Sequence, residues 1–264
     1  ILIAADWGIP QMMGPAIQPG ATGPMTMAGA VAQCVAESMF CVTISQLRNP
    51  GCPVGLGGNY GIFDMAQALM STAAPETSLT LAAHAEIAQS FGLPTWGLAG
   101  ATDSKCLDTQ AGAESAFHIL AQGMSGLNLI HDVGYMDMSM ACAVEQLVVG
   151  NDIVGMTKRY LRGFEVTDEH LAVEVMKKVG PGGHYLREKH TLDHFRNELW
   201  RTKVFTRQPM EKWLQNGSKD TEDRVREEIR HILETHQPEP LSKVILAELN
   251  KIKTDGEQEL VRST

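Results

Sequence analysis

Hydrophobic and polar positions alternate in two rhythms along the first 150 residues, and these rhythms predict the secondary structure. Short runs of apolar and small residues bounded by Gly or Pro are typical of strands buried on both faces of a sheet. Three such runs are GCPVGLGG (51–58), LPTWGLAG (93–100) and LNLIHDVG (127–134), and QMMGPAIQ (11–18) is a weaker fourth. The pattern therefore predicts four buried strands.

Helical spacing fills the segments between these runs. One helix is expected from Thr26, a favourable N-cap residue, to the stop at Asn49-Pro50-Gly51. Another begins at Asp108, and a single face of it carries its apolar residues. The residues of that face are Ala113, Ala116, Phe117, Leu120, Ala121 and Met124. Strand–helix alternation at this spacing predicts right-handed βα units around a parallel sheet.

The predicted architecture is of the α/β class, with four βα units from about Gln11 to Gly163. An eight-stranded barrel needs about 250 residues, so four units make either part of a barrel or an open sheet. The opening ILIAADWG has the pattern of the end of a helix.

After residue 150 the pattern becomes helical throughout. VTDEHLAVEVMKKVGPGG predicts one capped helix that ends at glycines, and RQPMEKWLQNG predicts a helix between a Pro and a Gly. DTEDRVREEIRHILETH and PLSKVILAELNKIK are amphipathic and rich in opposite charges. A frayed, charged tail is expected from Thr254. We therefore divide the chain into residues 1–165, built of βα units, and residues 166–264, a helical region packed on them.

Charge is distributed unevenly and narrows the classes of partner. The net charge is −9, and residues 1–150 hold 2 basic and 11 acidic side chains against 20 of each in residues 151–264. An acidic half opposes nucleic-acid binding and favours a cationic ligand. Burial alone also produces a segment with few charges, so a cation-binding half and a buried half are both possible interpretations.

Location follows from what the sequence lacks. No apolar run approaches the roughly 18 residues of a membrane span, and no basic-then-apolar leader is visible. The five cysteines are odd in number and form no C-x-x-C pair, which is typical of free thiols in a reducing compartment. We expect a cytoplasmic protein that contacts no membrane.

Function in a parallel βα sheet collects beyond the carboxyl ends of the strands. The loops that qualify are 19–26, 57–64, 100–105 and 131–137. Lys105 lies in the third, and between residues 1 and 150 the only other basic residue is Arg48. Lys105 has two interpretations of equal weight: an anion contact or proton donor in the mouth of the sheet, and a surface lysine near a helix start.

His131 and Asp132 directly follow the apolar LNLI. Only one of two consecutive strand residues points into the centre, and an ionisable group there is costly unless it is paired or used. A functional role is therefore the favoured interpretation.

Nearby aromatic residues offer a second kind of chemistry. Tyr60, Phe63, Trp96 and Tyr135 are able to enclose a cation against their ring faces, although scattered aromatics more often belong to a core. No H-x-H, H-E-x-x-H or paired-Cys pattern predicts a zinc site, and no G-x-S-x-G elbow is present. GPGGHY (180–185) follows a helix instead of opening one, so it predicts a tight turn and not a phosphate cradle.

Several longer motifs resemble one family. PGATGPMTMAGAVAQ, QLRNPGCPV, GLPTWGLAGATDSKCLDTQAGAES, EQLVVGNDIVGM and VGPGGHYLREKHTL look like the trimethylamine methyltransferase family, in the branch that lacks pyrrolysine. The resemblance runs from about Ile9 to Trp213. Family members are (β/α)8 barrels of roughly twice this length, which implies that the chain is the C-terminal half of such a barrel.

The resemblance implies transfer of a methyl group from a methylated amine to the Co(I) corrinoid of a small partner protein. The resemblance implies two partners, that corrinoid protein and a quaternary amine, and it is compatible with a homo-oligomer. No nucleotide and no metal held by the chain are expected. Pyrrolysine of the trimethylamine-specific members lies near the loop matching AGATDSK, where this sequence has Gly100, Ala101 and Thr102. That difference favours a quaternary ammonium substrate, most of all glycine betaine.

A quaternary ammonium needs no electrophilic residue, because it leaves as a neutral tertiary amine and requires mainly positioning and the exclusion of water. The alternatives are another betaine (carnitine, proline betaine or a butyrobetaine) and a betaine-binding module without turnover. The expected site is one cavity lined by Tyr60, Asp103, His131 and Tyr135. The candidate catalytic residues are Asp103 and His131, and the candidate substrate-binding residues are Tyr60, Trp96, Lys105, Asp132 and Tyr135.

Overall fold

The structure, a computed structural model, describes residues 1–263 of the chain, with side chains described through residue 261. Up to residue 161 its elements are α1 (Leu2–Asp6), β1 (Gln11–Met13), β2 (Ala16–Ile17), α2 (Met27–Arg48), β3 (Val54–Tyr60), β4 (Ile62–Asp64), β5 (Leu69–Ser71), α3 (Pro75–Ser90), β6 (Thr95–Leu98), α4 (Thr109–Met124), β7 (Leu129–His131), β8 (Tyr135–Met136), β9 (Ala141–Cys142) and α5 (Val144–Leu161). Helices follow: α6 (Asp168–Leu171), α7 (Val173–Val179), α8 (Lys189–Glu198), α9 (Met210–Gln215), α10 (Thr221–Thr235) and α11 (Lys243–Ser263). The chain forms two compact units, Ile1–Ile229 and Arg230–Thr264.

A parallel sheet in the order β1-β3-β6-β7 organises the first unit, with β2 also pairing β3. Each neighbouring pair is parallel, including β3 with β6 through Gly57↔Trp96. The four predicted βα units and their parallel strands are therefore confirmed. The described strands form an open sheet, and no closed barrel is found among them.

Helices α2 to α5 lie side by side, each in contact with the next, and α2 and α3 pack on β3. One core cluster joins Met13 and Leu56 of the sheet to Val42 of α2 and Ala88 of α3. Another joins α4 and α5 through Ile119 and Ile153. The apolar interior thus lies between the sheet and its layer of helices.

Helix α2 differs from expectation in one property. It is long and apolar enough to cross a membrane by length and composition alone, so the expectation that no stretch approaches that character was wrong. Ala30, Cys34 and Val42 are buried at helical spacing, and α2 packs on β3 and α3. These contacts are those of an outer helix over a parallel sheet.

One burial prediction was wrong, and the apolar face of α4 lies on the outside. β7 was expected to be buried on both faces, yet Leu129 and Ile130 are exposed, because β7 is an edge strand. In α4 the predicted apolar face is largely outside, with Phe117 51% and Met124 62% exposed. The residues that α4 buries are Ala111, Ser115, His118, Ile119 and Gln122.

The helical region also departs from expectation. The helix expected over 166–183 is broken at Ala172, whose φ of +52° ends α6 and begins α7. α8 was not predicted, and α11 runs through the expected frayed tail to Ser263. The domain boundary at residue 165 stays a prediction.

Candidate functional site

The carboxyl edge of the sheet brings two of the predicted loops together. Loop 100–105 follows β6, and loop 131–137 begins with the last residue of β7. Hydrogen bonds join the two loops, from Thr102 N to Tyr135 O at 3.1 Å and from Asp137 N to Ser104 O at 3.0 Å. The predicted loop 57–64 is mostly strand, since it contains the end of β3 and all of β4.

Trp96 of β6 lies across its neighbouring strands. A Cβ at Gly57 of β3 would lie 2.4 Å from Cε3 of Trp96, and a Cβ at Gly14 would lie 2.1 Å from Cζ3. Glycines are therefore required beneath the indole. The His131 ring stacks on Trp96, with ring centroids 4.5 Å apart and planes at 23°. We call these two rings the Trp96–His131 platform.

A carboxylate orients the histidine of the platform. His131 Nδ1 lies 2.5 Å from Asp132 Oδ1. Because a carboxylate only accepts hydrogen bonds, Nδ1 carries the hydrogen. Nε2 is buried and has no hydrogen-bond partner among the described residues. Asp132 has a φ of +77°, a conformation that non-glycine residues adopt at a cost and that clusters at functional sites.

Asp103 makes its contacts elsewhere. Its carboxylate accepts hydrogen bonds from Ser71 Oγ, from the Thr72 backbone N and Oγ1 at 3.1 and 3.2 Å, and from Ala73 N at 3.3 Å. These bonds fix the turn between β5 and α3. Both carboxylate oxygens are occupied, so the contacts of Asp103 are those of a positioning residue. A catalytic role for Asp103 stays a prediction.

Lys105 contacts both loops from the solvent-exposed side. Its Nζ lies 3.3 Å from the Asp137 carboxylate and donates to the Asp103 carbonyl at 2.7 Å, and 65% of its side chain is exposed. This environment is closer to the surface interpretation of Lys105. Tyr135 lies on the short β8–β9 hairpin and is 41% exposed.

Tyr60 does not join the platform, which corrects the expected cavity. Residues 56, 58 and 60 alternate toward the helices, and Tyr60 is fully buried in the cluster that includes Cys34. Its hydroxyl lies 3.0 Å from His84 Nδ1. Burial lowers the pKa of His84 to about 4 and raises the pKa of Cys34 to about 11. Burial also raises the pKa of Tyr60.

The cavity lined by Asp103 does not bring the candidate site residues together either. It is about 390 Å³ and lies at the start of α3, between Pro75 and Phe117, and Tyr60, His131 and Tyr135 do not line it. Gly14 and Gly57, which support the platform, were not among the sequence-based candidates. A glycine within a strand was the available signal, because it often marks a close approach.

No group of three or more His, Cys, Asp or Glu side chains within the described part of the chain is placed to hold a metal ion. The five cysteines are free thiols.

Comparison with known proteins gives one family. The family model described as "Trimethylamine methyltransferase (MTTB)" matches residues 1–258. A trimethylamine methyltransferase MttB of Desulfitobacterium hafniense (strain DSM 10664 / DCB-2) is 35% identical over 98% of this chain and 52% of its own length.

Two further relatives carry different substrate names. A glycine betaine methyltransferase of Desulfitobacterium hafniense (strain Y51) is 30% identical over 94% of this chain and 52% of its own length. A trimethylamine methyltransferase MttB of Methanosarcina barkeri (strain Fusaro / DSM 804) is 32% identical over 96% and 51%. The chain thus spans about half the length of the curated relatives it matches.

Proposed function

Because the chain belongs to the trimethylamine methyltransferase family, we propose that it takes part in transferring a methyl group from a quaternary amine to the corrinoid of a partner protein. The observation that carries this proposal is the Trp96–His131 platform beside Asp132, at the edge of the sheet where βα proteins place their chemistry. Glycine betaine is the substrate we propose.

The sheet supports a barrel-type arrangement for this site. The strands follow one another in chain order, and right-handed crossovers then place every helix on the same face. A doubly wound sheet reverses its order and has helices on both faces. We therefore propose that β1, β3, β6 and β7 are four consecutive strands of a (β/α)8 barrel, with the platform facing its interior.

The platform suits a trimethylammonium group for two reasons. An aromatic face contributes about 0.5–2 kcal/mol to binding a cation, and the Asp132 carboxylate adds negative charge beside the rings. The His131 Nε2 atom is the best-placed polar atom for the carboxylate tail of a betaine, since protonation turns it into a donor. Lys105 is a weaker candidate, because it already pairs with Asp137.

Beyond placing the ammonium group, methyl transfer requires few catalytic groups from the protein. When bound, the corrinoid supplies a Co(I) nucleophile of high reactivity. The methyl carbon would pass to that nucleophile as its bond to the substrate nitrogen breaks, and the nitrogen would keep the electron pair and depart as a neutral tertiary amine. The side chains hold the ammonium in line and exclude water. The partly exposed His131 ring (33%) leaves the edge accessible to an acceptor.

The sequence at the mouth supports a quaternary ammonium substrate over trimethylamine. Gly100, Ala101 and Thr102 stand where the resemblance places pyrrolysine in trimethylamine-specific members. Trimethylamine is a poor methyl donor without activation, whereas a quaternary ammonium already carries its positive charge.

Methyl transfer to free Co(I) cobalamin tests the activity. We expect the Co(I) absorbance to disappear with glycine betaine and to persist with trimethylamine. Consumption of Co(I) with trimethylamine but not with glycine betaine would overturn the substrate proposal. Consumption with carnitine but not with glycine betaine would favour the alternative that the substrate is another betaine. Heat of binding by calorimetry without any loss of Co(I) would identify a betaine-binding module.

Two variants test the site. His131→Ala is expected to weaken betaine binding about fivefold or more with little change in folding, since the ring is one-third exposed. Lys105→Met is expected to have a smaller effect, and His231→Ala, an exposed histidine of α10, is the matched control. Unchanged betaine affinity in His131→Ala and Lys105→Met together would show that the proposed pocket is wrong.

A further inference from the structure

A second cavity, of about 520 Å³, lies at the far end of α5. α5 starts at Val144, just after the hairpin at the carboxyl edge, and its 18 residues extend for about 27 Å. The cavity is therefore remote from the Trp96–His131 platform. Five cationic side chains line it and no carboxylate does; they are Lys158, Arg159, Arg162, Arg196 and Arg201.

The neighbouring carboxylate neutralises only one of these cations. Arg159 donates from Nε to the Glu198 carbonyl at 2.8 Å, from Nη2 to Glu198 Oε2 at 3.1 Å, and from Nη1 to the Gly163 carbonyl at 2.8 Å. This guanidinium is thus committed to joining α5 to the end of α8. Arg162 donates one N–H to the Asn197 carbonyl and keeps its other donors.

The remaining cations have no acidic partner among the described residues. Arg196 and Arg201 hold their guanidinium groups against the same ring, 5.4 and 5.9 Å from the centroid of Phe195. Two like charges at one ring repel each other unless an anion lies between or beside them.

One acid on each of the two helices, Asp152 on α5 and Asp193 on α8, is bonded to another partner. The Asp152 carboxylate binds the backbone N–H groups of Lys203 and Val204, and Asp193 pairs with Lys189. The cavity is consequently strongly positive in a chain whose net charge is −9, so its sign is a local feature and not a consequence of overall composition.

We propose that this cavity binds a small, soluble polyanion that carries phosphate groups. The planar N–H fork of arginine matches phosphate oxygens in pairs, and a volume of about 520 Å³ lies within the range of small-molecule sites. The site is separate from the proposed methyl-transfer site and does not depend on that activity.

The test uses inorganic pyrophosphate as the probe, with the chain of residues 1–264 and calorimetry at low ionic strength. We expect saturable binding of one pyrophosphate per chain. Arg201→Gln and Lys158→Gln are each expected to weaken it about tenfold, the effect of one charge-assisted contact. Arg187→Gln removes the same charge from an exposed position that does not line the cavity, and it is expected to bind as the wild type does.

Three results would overturn the proposal. Absence of saturable pyrophosphate binding is the first. Equal weakening in Arg201→Gln, Lys158→Gln and Arg187→Gln is the second, because it would report a general field and not a site. The third is co-sedimentation with vesicles containing phosphatidylinositol phosphates in the absence of pyrophosphate binding, which would assign the cations to a lipid surface.

Discussion

Gly57 sets the position of Trp96, and Gly57→Ala tests the platform directly. The added Cβ would lie 2.4 Å from Cε3 of Trp96 and 2.5 Å from the Trp96 carbonyl oxygen. Carbon atoms in contact prefer about 3.5–4.0 Å, so a movement of about 1 Å is required. The carbonyl belongs to β6, which pairs with β3 at this residue, and it cannot move without disturbing the ladder.

The expected loss of stability follows from that geometry. Overpacking a filled site costs about 1–3 kcal/mol, and contact with backbone favours the upper part of this range. Urea unfolding followed by circular dichroism measures the loss. The His131 ring-proton shifts, which depend on the stacked indole, should move as well, and betaine affinity should fall with them.

Gly112→Ala is the matched control. Gly112 lies within α4 and an added Cβ meets nothing within 4 Å, so alanine is expected to stabilise the chain by about 0.5–1 kcal/mol. Equal stability of Gly57→Ala and Gly112→Ala, with unchanged His131 shifts, would refute the placement of the indole over β3.

Three further outcomes are expected. Because burial lowers the pKa of His84 to about 4, the unfolded chain takes up a proton below about pH 6.5 that the folded chain does not. Up to about 3 kcal/mol of stability should therefore be lost between pH 6.5 and 4, and urea midpoints across that range should fall less steeply in His84→Gln than in the wild type. Asp152→Ala should lower the free energy of unfolding by about 2–4 kcal/mol, since it leaves the buried N–H of Val204 without its acceptor. Asp193→Ala removes an exposed pair and should leave the urea midpoint nearly unchanged; similar losses in the two variants would contradict the burial argument. Asp103→Ala should speed hydrogen exchange at the backbone N–H groups it binds and leave the His131 ring shifts unchanged, and a shift at His131 would instead support the predicted catalytic proximity of the two residues.

The sequence alone was sufficient for the order and the parallel direction of the four sheet strands β1, β3, β6 and β7, but not for α8 or for the hairpins β4–β5 and β8–β9. Runs of apolar residues bounded by Gly and Pro place β3, β6 and β7 correctly, and Asn49-Pro50-Gly51 ends α2 as expected. These features are local: they depend on backbone preferences and on periodicity within about ten residues. The parallel arrangement then follows from chain connectivity.

Burial direction was decided by tertiary contacts. In α4 the periodic apolar face does not coincide with the buried face, since Phe117 is exposed and Gln122 is buried. Gln122 faces α3, where its side-chain amide donates to the Ser78 carbonyl at 3.1 Å. Periodicity identifies two faces of a helix, but only the neighbouring helix determines which face is covered and whether polar groups there find partners.

The candidate site divides along the same line. Its position at the carboxyl edge, with His131 and Asp132 at a strand end, could be predicted because strand direction fixes which ends meet. The separation of Tyr60 from Trp96 could not be predicted. Strand alternation assigns residues to the two faces of the sheet, but it does not say which face the helices cover. Asp103 likewise finds its partners about thirty residues away in the chain, and a contact at that separation exists only once the sheet and its helices have assembled.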